Sequence, residues 1–402
     1  MLLRLKRFCG FITGFVFFIG GILKLLDPVG AGLVMKEYFD FMHIGFLGPT
    51  AKAAGVAFAL AETVIGAALI TGVWRKPVAV AAMCFQGFFT VLTLFLVIFN
   101  PEMDCGCFGE AIHLTHTQTF IKNLVLCALL AAYYFPSKQL GQNRTRKYVS
   151  FALVCTSSIA FMLYSLMYIP MVDFTDYSPA TALQAGHTFA SGQGDIYESV
   201  FVYEKDGKEE QFTLEQLPDT TWKFIRTETR LQKGQNIDSA VSLSFYDRNG
   251  DYQDALAAKG KVLIMSAYKP EMKSSHWERA ADFISEAAKT GFTPLILAAS
   301  TPEQMDEILA GLNKEQAQII SKHMFYSDYK TLITMNRSNG GLTYFYDGYL
   351  IKKWARRSIP DKEDLAKIYT DNATEAIISQ DTKGSLGFQG FLLYVCAVML
   401  LL

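Results

Sequence analysis

Apolar positions come in long unbroken runs up to about residue 170 and in short alternating stretches after it. Five runs, 8–26, 53–73, 77–99, 119–135 and 148–169, approach the ~20 residues a helix needs to cross a bilayer. A sixth, 386–402, is shorter and is read as a possible C-terminal span. The break at Trp74-Arg75-Lys76-Pro77 is so short that the second and third runs should pair antiparallel. The first run follows Arg4, Lys6 and Arg7, as in a signal peptide. It exceeds the ~7–15 residues of such a core, and no small-x-small site follows Leu26.

Beyond residue 170 the period shortens. Segments 198–203 and 209–214 flank Asp206-Gly207 and predict a hairpin. The strand-like segment 241–246 leads into the turn Asp247-Arg248-Asn249-Gly250. Runs 261–268 and 292–299 are continuously apolar, as strands buried in a mixed sheet are. Ser274 is placed to cap an amphipathic helix over 275–289 that stops at Gly291. A second helix is expected over 302–321. A last hairpin, 342–347 and 349–354, turns at Asp347-Gly348, and a closing helix spans 360–369. Strands alternating with helices predict a layered α/β domain.

Composition agrees with a membrane protein. Of 402 residues, 51% are hydrophobic and 19% charged, against about 25% charged in soluble chains. Mean hydropathy is +0.20. The net charge of −1 offers no basic surface for nucleic acid. Lipid is the expected surrounding of the apolar half. The expected domains are a membrane module over 1–136, a cytoplasmic loop and fifth span over 137–170, an extramembrane domain over 171–380, and the possible span over 386–402. With the N-terminus inside, the inner segments hold nine basic residues: Arg4, Lys6, Arg7, Arg75, Lys76, Lys138, Arg144, Arg146 and Lys147. The outer ones hold two, Lys36 and Lys52. That bias predicts an inner-membrane protein with a cytoplasmic N-terminus and the α/β domain on the periplasmic side.

Candidate chemistry is confined to a few positions. All seven cysteines lie before residue 156 or at Cys396, so the α/β domain has no thiol. Cys9, Cys84, Cys127, Cys155 and Cys396 stand singly in apolar runs and read as packing residues. Cys105 and Cys107 differ, in Asp104-Cys105-Gly106-Cys107-Phe108-Gly109-Glu110 beyond the third run. A disulfide across one residue closes a small strained ring that Gly106 makes feasible, and strain suits a reversible couple better than a staple. An incidental local disulfide and a soft-metal site are the competing readings; the latter needs more ligands than two thiols, with His113 and His116 nearby. These histidines are also candidates to deprotonate a thiol or to be plain loop residues. Asp104 and Glu110 oppose a thiolate, and Lys122 is placed to favour one or to reach the interface. Glu62 sits mid-span, a functional candidate by default as a proton relay or an interhelical link. Lys24 and Asp27 are expected to pair at the interface.

Two motifs resemble a known group. Gly20-Gly21-Ile22-Leu23-Lys24-Leu25-Leu26-Asp27-Pro28 resembles the end of the first helix of DoxX-like proteins. Asp104-Cys105-Gly106-Cys107-Phe108-Gly109, followed by a Thr/Gln-led helix, resembles the hallmark loop of the MauE/DoxX redox-associated membrane proteins. The likeness covers 1–136. It implies a four-helix membrane module, here with a fifth span, tied to disulfide formation or electron delivery to a periplasmic or envelope protein, distantly like DsbB and vitamin K epoxide reductase. Through them it admits a quinone as cofactor. Those relays carry a second outer cysteine pair or a CxxC, which this chain lacks. Segments 241–250 and 259–265 are similar to the entry hairpin and first core strand of thioredoxin-like folds. Tyr268-Lys269-Pro270-Glu271-Met272-Lys273 stands where those proteins have cysteine, and Asn339-Gly340-Gly341 where they have a cis-proline. The domain is therefore expected to be a redox-inactive thioredoxin-like fold, in an arrangement that resembles DoxX-family fusions of Bacteroidetes-type bacteria. The leading functional expectation is a thiol–disulfide oxidoreductase acting through Cys105 and Cys107. A non-catalytic envelope scaffold and a metal-handling protein are the alternatives.

Overall fold

A computed structural model of the chain describes residues 2–101, 103–135, 145–179, 181–183, 197–205, 208–213, 217–219, 221–231, 241–371 and 373–402. It forms two compact units. One comprises Met1–Leu166, Pro170–Val172 and Phe388–Leu402; the other comprises Met167–Ile169 and Asp173–Gly387.

The first unit is helical: α1 (Leu2–Leu26), α2 (Pro28–Phe41), α3 (Ala51–Thr71), α4 (Arg75–Phe99), a short strand β1 (Cys107–Glu110), α5 (His116–Tyr134) and α6 (Thr145–Met167). Among the described residues, four stretches are long and apolar enough to cross a membrane: Arg4–Leu26, Gly45–Thr71, Arg75–Phe99 and Lys147–Met167. Five were expected before residue 170. The run at 119–135 does form a helix, α5, but it is not one of the four. Thr119, Lys122 and Asn123 in its first half dilute its hydropathy. Lys138 and Arg144 of the expected basic loop lie outside the described residues.

Backbone approach sets the packing of α1 on α3. A Cβ on Gly21 would stand 2.6 Å from the Thr63 nitrogen, and one on Gly66 would stand 2.7 Å from the Gly14 carbonyl oxygen. Small residues at such crossings let helices pack where lipid removes the hydrophobic drive. Phe18, Ile22, Leu25 and Leu26 then bury against Ala59, Ala67, Val154 and, from the C-terminal segment, Phe391 and Val398.

Segment 27–52, expected as an open outer loop, instead contains α2. The Asp27 carboxylate accepts hydrogen bonds from the Val29 and Gly30 nitrogens at 3.2 and 3.0 Å, with Pro28 at the first helical position. This is a standard helix start. Lys24, expected beside Asp27 at the interface, places its Nζ 2.5 Å from Glu62 Oε2 on α3.

The second unit begins with β2 (Tyr197–Lys205), β3 (Lys208–Thr213) and β4 (Lys223–Leu231), an antiparallel sheet in the order β3-β2-β4. The expected hairpin is β2–β3; its turn, Asp206-Gly207, lies outside the described residues. Next come β5 (Lys261–Ala267), α7 (Ser274–Thr290), β6 (Thr293–Ala298), α8 (Pro302–Leu309), α9 (Lys314–Lys322), β7 (Met324–Tyr326), α10 (Tyr329–Met335), β8 (Gly341–Tyr346), β9 (Tyr349–Trp354), α11 (Lys362–Thr370) and α12 (Ala373–Leu401). The sheet order is β7-β6-β5-β8-β9. β5, β6 and β7 run parallel, and β8 and β9 are antiparallel. Trp277, Ile284, Ile296, Met305 and Leu365 fill the core beside it.

Three expectations shift here. Segment 241–246 is not a strand: Val241 and Tyr246 make isolated bridges only. The helix expected over 302–321 is two, broken at Gly311 and restarted by the Asn313 side chain on the Gln316 nitrogen at 2.8 Å. Helix α7 has Lys273, not Ser274, at its cap position, without a side-chain cap bond. The final apolar helix, Leu386–Leu401, is shorter than the four spans.

Candidate functional site

The loop between α4 and α5 is built to hold a fixed shape. Helix α4 ends at Asn100, in the left-handed conformation, and Pro101 blocks its continuation. Helix α5 starts with a capping box: Thr115 accepts from the Gln118 nitrogen at 3.2 Å, and Gln118 accepts from the Thr115 nitrogen at 3.0 Å. The His116 ring ties the ends together, with Nδ1 3.3 Å from the Asn100 Oδ1 and Nε2 3.0 Å from the Met103 carbonyl oxygen.

The two cysteines sit within this frame, both as free thiols. Gly106 between them has φ +59°, and a Cβ there would fall on the Val34 side chain of α2. Only glycine satisfies both conditions. Cys105 is 5% exposed, packed with Tyr38, Leu92 and Leu96, and its carbonyl accepts the Tyr38 hydroxyl at 2.9 Å. Cys107 is half-buried and starts β1, which lies along α1. Burial pushes the Cys105 thiol up, and the neighbouring Cys107 and Asp104 add to the rise. The Thr119 hydroxyl and the Lys122 charge pull the other way.

Both cysteines line one cleft of the helical unit, with Lys24, Tyr38, Glu62, Lys122 and a wall of Phe58, Phe85 and Phe89. The cleft leaves about 70 Å³ for the centres of water-sized molecules, several times what one buried water requires. Inside it Lys24 Nζ and Glu62 Oε2 are 2.5 Å apart, their side chains 18% and 15% exposed. The Glu62 Oε1 and the Cys107 carbonyl oxygen both lie within 3.3 Å of where a Gly20 Cβ would stand, so the ion pair adjoins the Cys107 backbone. Lys122 Nζ lies over the Phe108 ring, 5.0 Å from its centre.

Residues 3–136 match the family described as methylamine utilisation protein MauE. The match ends just after α5, so the whole cleft lies inside the MauE-like region. Residues 197–234, which hold β2 to β4, match a domain of unknown function, DUF8463. No curated protein matches the chain, and no solved structure does.

Of the residues singled out in sequence, the MauE-like region gathers Cys105, Cys107, Glu62 and Lys122 at one cleft. The two histidines stand apart from it. His113 is exposed and faces Asp104, Nδ1 to Oδ2 3.6 Å, and His116 serves as the loop's tie. Among the described residues no three His, Cys, Asp or Glu side chains cluster to hold a metal ion. Sequence reasoning missed three members. Lys24 was given a local partner. Tyr38 lay in a segment read as loop. Thr119 looked like one more helical threonine. The available signal for Lys24 was Glu62 itself, since an ionisable group in a span calls for a partner on another helix.

Proposed function

We propose that the MauE-like region is a membrane thiol–disulfide module in which Cys105 and Cys107 cycle between dithiol and disulfide. The observation that carries this is the pair's placement: two free thiols on one short loop, lining a cleft that also holds a part-buried ion pair. Oxidation forms the Cys105–Cys107 bond and releases two electrons and two protons. The electrons reduce a disulfide of an envelope protein or a lipid-soluble two-electron acceptor. Glu62, paired with Lys24, and Lys122 are the charged groups of the cleft placed to handle protons there; His113 and His116 are not part of its lining. A quinone suits the cleft chemically, with Phe58, Phe85 and Phe89 as ring contacts and Lys122 as a cationic donor. When bound it would accept the electron pair.

The basic-residue bias supports a cytoplasmic N-terminus, with the Cys105 loop and the α/β unit on the periplasmic side of an inner membrane. The path of the second unit, two parallel βα steps and an antiparallel hairpin closed by a helix, supports a thioredoxin-like reading. That unit has no cysteine, so it acts as a docking platform for a client of the module. Redox-state alkylation in native membranes tests the proposal. Cys105 and Cys107 should become maleimide-reactive after mild reductant and lose that reactivity on reoxidation. A pair unreactive both before and after reductant refutes it. A scaffold role without redox chemistry is supported by the thiol-free second unit alone. It requires that Cys105→Ser/Cys107→Ser still complements a deletion strain.

A further inference from the structure

Six threonines within the helices of the helical unit share a bond that buried Thr119 lacks. The hydroxyls of Thr13, Thr63, Thr71, Thr90, Thr93 and Thr156 each donate to the carbonyl four residues earlier on their own helix, at 2.7–3.0 Å. That bond is how a hydroxyl avoids going unpaired in an apolar bundle. Thr119 is 0% exposed, yet its Oγ1 makes no hydrogen bond of ordinary geometry. It stands in the first turns of α5, the helix that follows the Cys105 loop, and its hydroxyl pulls the burial-raised Cys105 thiol back down. A buried hydroxyl without a partner is left short of the hydrogen bond it would make in water. A thiolate at Cys105 would supply the missing acceptor.

The two sulfurs differ in a matching way. Cys105 is enclosed by Tyr38, Leu92 and Leu96 and only 5% exposed, so a bulky disulfide reaches it slowly. Cys107 is half-buried and begins the strand that borders the cleft. We propose that Cys107 is the sulfur that exchanges with an incoming disulfide, that Cys105 resolves the mixed disulfide, and that the Thr119 hydroxyl is the positioning donor that steadies the Cys105 thiolate. This rests on the thiol–disulfide reading above. In the first step the Cys107 thiolate attacks one sulfur of the incoming disulfide, forming a mixed disulfide and releasing the other sulfur as a thiolate. In the second, the Cys105 thiolate attacks the Cys107 sulfur, closes the Cys105–Cys107 bond and expels the second thiolate. The dithiol is oxidised by two electrons and the incoming disulfide reduced by two.

The test uses the full chain in lipid nanodiscs, prereduced, with 2,2′-dithiodipyridine as the disulfide and mass spectrometry to locate the adducts. The unaltered chain should release two equivalents of thiopyridone from this pair, in a fast and then a slower phase. Cys105→Ser should release one, quickly, and retain the adduct on Cys107. Cys107→Ser should react at Cys105 at least about tenfold more slowly. Thr119→Val, nearly the same shape without the hydroxyl, should slow the second phase about tenfold, the equivalent of ~1.4 kcal/mol, and leave the first phase unchanged. Thr119→Ser should restore it. Equal rates for the two cysteine variants, or an unchanged second phase in Thr119→Val, overturn the assignment while leaving the dithiol chemistry standing. Should neither cysteine of the unaltered chain react, the dithiol reading falls and this assignment with it.

Discussion

Gly106→Ala tests the geometry of the loop most directly, because two separate penalties meet at one atom. The residue has φ +59°, and an added Cβ would overlap Val34, with Cγ2 at 3.0 Å and the Val34 Cβ at 3.1 Å. A side chain in the left-handed region costs about 1–2 kcal/mol. An extra carbon forced into a packed site costs about 1–3 kcal/mol more. Together these destabilise the closed loop by about 2–5 kcal/mol. Cys105 is 5% exposed in that loop, so its reaction with a maleimide reports local opening, and 2 kcal/mol corresponds to about thirtyfold in rate. Gly106→Ala should therefore alkylate at Cys105 at least about thirtyfold faster than the unaltered protein under reducing conditions. Adding Val34→Ala removes the two Cγ contacts but keeps the Val34 Cβ and the backbone penalty, so the double variant should recover part of the protection but not all of it. The reasoning is refuted if Gly106→Ala stays within about threefold of the unaltered rate. It is refuted equally if Val34→Ala recovers nothing, since the clash would then not exist.

Three further outcomes follow from the same contacts. Glu62→Gln strands the Lys24 ammonium in the cleft and should destabilise the helical unit by about 3–5 kcal/mol, whereas Lys24→Met with Glu62→Leu should be close to neutral; thermal unfolding in detergent compares them. Because burial raises the Cys105 thiol, its alkylation should rise with pH later than that of an exposed thiol. A group whose folded pKa is raised lends stability below its unfolded pKa and loses it as pH climbs through the folded one. The loop should therefore weaken only on the alkaline side of the ordinary thiol range, read as accelerated alkylation in a pH series. In the second unit, buried Asn336 donates to the Leu342 carbonyl at 3.0 Å and the Trp354 carbonyl at 3.3 Å and accepts from the Ser338 nitrogen at 3.0 Å. Asn336→Ala should lower its denaturant-derived stability by about 1–3 kcal/mol.

Most of the framework was legible because it is written in local patterns. The spans at 8–26, 53–73, 77–99 and 148–169 show themselves by length and hydropathy, and β5, β6 and the β8–β9 hairpin by apolar runs and the Asp347-Gly348 turn. Elements that failed to show are those whose signals are short or mixed. β7 is three residues long. β4, Lys223–Leu231, carries Arg226-Thr227-Glu228-Thr229-Arg230 in sequence, which gives no apolar run to read as a strand. α2 is announced by Asp27-Pro28, but that start signal competes with Lys24 one turn away, which offers Asp27 an ion-pair partner instead.

The same competition between local and distant partners leaves the cleft only half visible in the sequence. In a soluble protein the nearest opposite charge along the chain is a fair guess, since water makes most such pairings cheap to form and to lose. Within an apolar bundle the cost of an unpaired charge reverses the logic. Glu62 has no basic residue nearby on its own helix between Lys52 and Arg75, so its partner must come from another element at the same depth. On α1, which packs along α3 at Gly21 and Thr63, Lys24 is the cation beside that crossing. The Gly21–Thr63 approach also brings Gly20 next to both Glu62 and the Cys107 carbonyl. One close helix crossing therefore accounts for the ion pair, for the absence of a side chain at residue 20, and for the cysteine loop coming to rest against α1.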